Sequence, residues 1–193
     1  MQIMVSGLDA GFLLDRQWHW LRGEMEKSKR PALLAVCRIL GEERVPYAII
    51  GGLALQVHHP EPRTTLDIDI ALRTRDAIPA AALEKAGFRR TGSFERSENW
   101  VASDGTPIQF TDDPLLASAI VEAEEIVLDR VVLRVVRVVD LLHAKLRAGS
   151  DPARRRSKRL QDLADVAALL ETNENLRDEL TEAEKALLDQ LPG

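Results

Sequence analysis

The segment Tyr47-Ala48-Ile49-Ile50-Gly51-Gly52 constrains this chain most, because a short buried strand must end there on two glycines. Leu53 to His58 then reads as a helix, and the run from Leu66 to Ala71 as a second strand, with Asp67-Ile68-Asp69 inside it. In an extended strand, residues two apart point the same way. Asp67 and Asp69 therefore share one face, while Ile68 and Ile70 turn to the core. Two adjacent carboxylates repel each other, and each makes ionisation of the other costlier. A hard divalent cation removes that penalty, and oxygen ligands of this kind suit Mg²⁺. A solvated pair on an exposed strand face is the plainer alternative. Glycines at a strand-to-helix junction let backbone N–H groups approach a phosphate, with the helix N-terminus favouring negative charge. A tight turn without a ligand is the alternative for the glycine pair alone. The two features fall in one strand–helix–strand unit, and together they make a coherent nucleotide site.

The segments Gly51-Gly52-Leu53-Ala54 and Arg63-Thr64-Thr65-Leu66-Asp67-Ile68-Asp69 resemble the DNA polymerase β-like nucleotidyltransferase superfamily. Within it they are most similar to the bacterial abortive-infection type IV toxin nucleotidyltransferases. Two later segments extend the resemblance over residues 30–171. Asp140 to Ala148 (DLLHAKLRA) is similar to that group's apolar helix with a Lys-Leu-x-Ala core, and Lys158 to Asp165 (KRLQDLAD) to its later basic helix with Asp-x-x-Asp. The resemblance implies an α/β fold: a nucleotidyltransferase-like mixed sheet with flanking helices, followed by a C-terminal helical part. It implies that Gly51, Gly52, Arg63 and Thr65 bind a nucleoside triphosphate and that Asp67 and Asp69 hold Mg²⁺. Lys145 would lie near the triphosphate, and Asp162 would lie close to the metal or hold Lys145. It also implies an RNA or protein hydroxyl as acceptor, and an antitoxin protein as partner.

The superfamily usually adds a third carboxylate from a later strand. The matching strand here is Pro107 to Thr111, and its central residue is Gln109, an amide. An amide ligates a metal weakly and cannot act as a general base. This departure keeps open a non-catalytic nucleotide- or partner-binding module. Asp112 supplies the third ligand if the strand is shifted. Alternatively, Asp112 and Asp113 cap a helix starting at Pro114, since Asp ahead of a Pro at the first helical position is a helix-start signal.

The remaining organisation follows from local signals. Residues 12–28 read as a mixed helix whose Trp18 and Trp20 pack on the domain or on a partner. Pro31 opens an amphipathic helix to Glu43, and a helix over 78–86 stops at Gly87. Strands at 88–94, 98–103 and 107–111 suggest an antiparallel extension. Val127 to Val138 is β-branched and reads as one or two strands broken at Asp129-Arg130. Helices at 138–149, 152–171 and 181–190 close the chain. The expected domains are a helical extension at 1–30, the nucleotidyltransferase-like core at 31–137 and the helical part at 138–193.

Composition limits the alternatives. A chain of 193 residues with 45% hydrophobic content suffices for one core domain with an extension. No apolar run is long enough to cross a membrane, and the N-terminus, with Asp9 and Asp15, does not read as a signal peptide. A single cysteine, Cys37, excludes an internal disulfide, fits a helix core and suggests a cytoplasmic protein. The histidines show no zinc spacing. The net charge of −5 argues against a general nucleic-acid coat, yet Arg154 to Arg159 holds five cations in six residues. That run either neutralises RNA or triphosphate, or merely solvates the start of a helix. On that helix Lys158, Asp162 and Asp165 share a face, which allows an intrahelical salt bridge. A buried Lys145 would need a partner, and Asp162 is the obvious one.

Overall fold

The computed structural model describes residues 2–22, 28–61 and 63–189. Within it the chain divides into two compact units, residues 1–137 and 138–193. The first holds helices α1 (Gln2–Leu21), α2 (Arg30–Glu42), α3 (Gly51–His58), α4 (Ala80–Lys85) and α5 (Ala117–Val121). Its strands are β1 (Tyr47–Ile50), β2 (Ile68–Leu72), β3 (Arg89–Ser93), β4 (Ser97–Val101), β5 (Pro107–Thr111), β6 (Glu124–Leu128) and β7 (Val131–Val135). The second unit holds α6 (Val138–Ser150), α7 (Arg156–Thr172) and α8 (Glu182–Leu188).

The seven strands form one mixed sheet in the order β3-β4-β5-β2-β1-β7-β6. β1 runs antiparallel to β2 and parallel to β7, and β2 runs parallel to β5. β3, β4 and β5 form the expected antiparallel extension. β6 and β7 form a hairpin closed by Asp129 and Arg130, both at positive φ (48° and 64°). Two positive φ values in a two-residue loop match the right-handed twist of the strands they join. The break expected at this pair is therefore a hairpin turn.

Apolar side chains seat the central strands. Tyr47, Ala48 and Ile49 of β1 and Ile68, Ile70 and Leu72 of β2 are all buried. α2 covers the sheet with Ala32, Leu33, Val36, Cys37 and Leu40, a set spaced to form one helical face. Burial pushes the Cys37 thiol up to about 12, against a smaller opposing pull from Tyr47. A thiol held that far from ionisation is a core group and not a nucleophile.

Several boundaries differ from the sequence expectation. The first helix begins at Gln2, earlier than residue 12, and ends at Leu21; residues 23–27 of the expected 12–28 helix lie outside the described residues. It packs in the first unit with the sheet. Trp18 and Trp20 are 50% and 66% exposed. α7 starts at Arg156 and not at 152, because Asp151 caps a turn there by accepting from the Ala153 N–H at 2.9 Å. The last helix is described from Glu182 to Leu188, and residue 190 lies outside the described residues. No described helix is long and apolar enough to cross a membrane.

Candidate active site

The middle of the sheet brings the glycine pair and the acidic pair together. β1 and β2 are in register with Ile50 opposite Asp69, so the turn after Ile50 sits beside the Asp69 carboxylate. Gly51 has φ +65°, and a Cβ there would lie 2.1 Å from Asp69 Oδ2. Only glycine meets both conditions, the left-handed backbone and the close approach. A Cβ on Gly52 would lie 2.4 Å from Thr65 Oγ1. The start of α3 is therefore a bare backbone surface flanked by Asp69 on one side and Thr65 on the other.

Asp69 is on β2, and Asp67 lies one residue before that strand begins. Both are partly accessible, while Ile68 and Ile70 are fully buried, as the alternation requires. Thr65, itself buried, donates from Oγ1 to Asp67 Oδ1 at 3.2 Å. β5 lies next to β2 with Gln109 paired to Asp69, and β4 follows with Asn99 paired to Gln109. Residues paired across a ladder point to the same face. Asp69, Gln109 and Asn99 thus form a row across three strands. Gln109 Nε2 donates to Asn99 Oδ1 at 3.3 Å, which turns the amide nitrogen toward Asn99. A cavity of about 360 Å³ opens beside the Gln109 and Asn99 end of this row, lined by Asp67, Gln109, Asn99, Thr91 and Arg89 among others. The last three were not singled out in the sequence. They become visible only through the register, which a β-bulge between Arg90 and Gly92 resets.

Asp112 does not join this row. It is aligned three positions beyond Gln109 along the strand, roughly 10 Å further at the usual rise. Its carboxylate pairs with Arg75 Nε at 2.9 Å. The helix cap falls to its neighbour, Asp113, which accepts from the Leu115 N–H at 3.0 Å. The third position is therefore the amide of Gln109. Among the described residues no group of three or more His, Cys, Asp or Glu is arranged to hold a metal. The donors on the sheet face, two carboxylates with an amide carbonyl beside a backbone cradle, nevertheless suit one hard divalent cation. The Arg63 guanidinium donates to the Thr64 carbonyl at 3.2 Å, on the same segment as Thr65.

Lys145 and Asp162 belong to the second unit. Lys145 on α6 is buried and bonds Asp162 Oδ1 at 2.8 Å and Asp165 Oδ2 at 2.7 Å, both on α7. Arg154 Nε takes the other Asp162 oxygen at 2.9 Å. The intrahelical pair with Lys158 is thus replaced by a pair between helices, because the apolar contact of α6 with α7 places the ammonium between the two acids. Of the basic run, Arg154, Arg155, Arg156 and Lys158 are exposed, and Arg159 donates to the Gly149 carbonyl at 3.1 Å.

Comparison with known proteins agrees with this fold. No curated protein sequence matches the chain. Among solved structures it is similar to an antigenic nucleotidyltransferase-like protein from Paracoccidioides brasiliensis, with TM-score 0.56 and 17% identity over 83% of this chain and 87% of that one. It is also similar to ANT(2")-Ia, solved with adenylyl-2"-tobramycin, with TM-score 0.53 and 16% identity over 84% and 98% of the two chains. The Megavirus polyadenylate synthase matches with TM-score 0.51 and 15% identity over 74% of this chain and 31% of its own. At these identities the likeness is one of fold. Residues 33–191, well over half of the chain, match the model of the family described as Nucleotidyl transferase AbiEii toxin, Type IV TA system, and the chain belongs to that family of nucleotidyltransferases.

Proposed function

We propose that the protein is a Mg²⁺-dependent nucleotidyltransferase that moves a nucleotide from a nucleoside triphosphate to an RNA or protein hydroxyl. The observation that carries this reading is the register at Ile50 and Asp69, which sets the Gly51-Gly52 backbone against a two-carboxylate face. The N–H groups at the start of α3 face a phosphate there, with the helix dipole in support. Asp67 and Asp69, with the Gln109 carbonyl, hold the cation, which when bound offsets charge on the triphosphate. Thr65 fixes the rotamer of Asp67, and Arg63 adds a positive charge at the edge. The acceptor oxygen forms the new bond to the α-phosphorus, the bond to pyrophosphate breaks, and the hydroxyl proton passes to Asp67 or to water. Gln109 cannot take that proton, so activation of the hydroxyl is the weakest part of the site. Residues 31–137 form the nucleotide-binding core in this reading. On the family resemblance Lys145 and Asp162 keep a catalytic role in this reading, with Asp162 holding the Lys145 ammonium. Family membership in a type IV toxin–antitoxin system supports a cytoplasmic protein and an antitoxin partner.

The test is incubation with each labelled triphosphate, Mg²⁺ and total RNA, with Asp67→Asn alongside. Transfer by the wild type and none by the variant supports the enzyme. Gln109 in the third position favours a second reading, a module that binds the triphosphate without turnover. Binding of labelled triphosphate with no transfer to RNA or protein selects that reading.

A further inference from the structure

Two side chains outside the motifs, Lys29 and Gln56, reach the segment that carries Arg63, Thr65 and Asp67, and Asp15 holds the first of them. Lys29, just before α2, is buried with its side chain 8% exposed, and its ammonium bonds Asp15 Oδ2 of α1 at 2.5 Å. The same nitrogen donates to the Thr65 carbonyl at 2.5 Å. Gln56 of α3 donates from Nε2 to the Arg63 carbonyl at 2.6 Å. A buried ion pair is expensive to desolvate and persists where further hydrogen bonds complete it. Here the completing acceptor is a main-chain carbonyl two residues from Asp67.

Gln56 is held just as firmly. It is 2% exposed, and its Oε1 is buried with no hydrogen-bond partner among the described residues. A Cβ on Gly11 would lie 2.4 Å from that Oε1, and one on Gly7 would lie 2.0 Å from the Gln56 carbonyl oxygen. Gly7 and Gly11 are one helical turn apart on α1, so this helix lies against α3 at backbone distance. The hydrogen bond to the Arg63 carbonyl orients the amide, with Nε2 toward Arg63. A buried acceptor without a partner is costly, and it persists here because the donor end of the amide is used.

We infer that Asp15, Lys29 and Gln56 are positioning residues: they clamp residues 63–65 by two main-chain carbonyls so that the Thr65 hydroxyl meets Asp67. The inference rests on the nucleotidyltransferase reading of Asp67 for its consequence, but not for its geometry. Asp15 and Lys29 precede residues 33–191, so the family match does not include them. α1 thereby becomes part of the machinery that orders the site. The outer groups that orient metal-binding carboxylates commonly change activity 10- to 100-fold when removed.

The experiment uses the full chain. Asp15→Leu with Lys29→Met removes the ion pair together and leaves no unpaired buried charge, Gln56→Met removes the second tie, and Lys29→Arg preserves charge and donors. Hydrogen–deuterium exchange is read without nucleotide, and Mg²⁺-dependent binding and transfer are read with each of the four labelled triphosphates. In the double variant and in Gln56→Met, exchange over 63–67 should rise about tenfold while the β1 and β2 amides stay protected. The transfer rate should fall about tenfold or more with KM changed far less. Lys29→Arg should restore most of both. Unchanged exchange over 63–67 in Gln56→Met and in a folded double variant overturns the clamp, and so does a rate loss matched by loss of protection throughout the sheet. If the double variant does not fold, Gln56→Met decides alone. If the wild type neither binds nor transfers any triphosphate, the enzyme reading fails, and the exchange result still decides the clamp.

Discussion

At Gly51 two independent constraints meet at one atom. Alanine there would have to hold φ +65° and place its Cβ 2.1 Å from Asp69 Oδ2. The left-handed backbone alone costs about 1–2 kcal/mol. The contact can be relieved only by moving Asp69, so Gly51→Ala should lose triphosphate binding while keeping a cooperative thermal transition. Unaltered binding in a folded variant would separate the glycine from the site. Gln109 makes the opposite experiment. Gln109→Asp puts a carboxylate beside Asp69 on the neighbouring strand, and like charges directly opposite are destabilising by up to about 1 kcal/mol. Without cation the variant should melt lower than wild type. Mg²⁺ should raise its melting temperature more than it raises that of wild type, because the cation now neutralises three acids, and transfer should increase. Equal Mg²⁺ shifts in the two proteins would mean that position 109 does not face the cation.

At the scale of elements, α6 and α7 are joined by a charged cluster as well as by apolar contact. Lys145→Met would take this ammonium away from the buried Asp162 and Asp165, at about 3–5 kcal/mol. A far-UV melt should show this loss, and Lys145→Met with Asp165→Asn should recover part of it; a melt like that of wild type would mean that the acids are solvated. The need of a buried Lys145 for an acidic partner was legible in the sequence, and so were Asp162 as that partner and the β1–Gly-Gly–α3–β2 unit. These depend on period, punctuation and the chemistry of single residues. Asp112 was open at that level. Its partner, Arg75, lies in another element, and no local signal says which of two adjacent aspartates caps a turn. Asp15, Lys29 and Gln56 were invisible for the same reason, since their tie to residues 63–65 exists only once α1 lies on α3. The spacing of Gly7 and Gly11 was the one available hint of that approach. The early start of α1 was missed because its apolar pattern is weak and no acidic residue marks its first turn.

For the whole molecule, the question is how a chain of net charge −5 would hold a polyanion. The cations are not spread evenly. Arg155 precedes α7, and Arg156, Lys158 and Arg159 occupy its first turn, which holds no acid. Positive side chains at a helix N-terminus are disfavoured by the macrodipole, by roughly 0.3–1 kcal/mol each when exposed. Arg154 and Arg159 have partners within their unit, at Asp162 and the Gly149 carbonyl. Arg155, Arg156 and Lys158 are exposed beside the helix N–H groups, and an anion there would relieve both the repulsion and the dipole. With RNA as acceptor, replacing these three by Ala should weaken RNA binding uniformly across sequences. The slope of log K against log salt should fall by about 2, at ~0.7 per single-strand phosphate contact. Without RNA, the same variant should melt at or above the wild-type temperature, since the dipole penalty is gone. If the run serves only to solvate the helix, the salt slope will be the same in variant and wild type, and the acceptor must then be held elsewhere or be a protein hydroxyl.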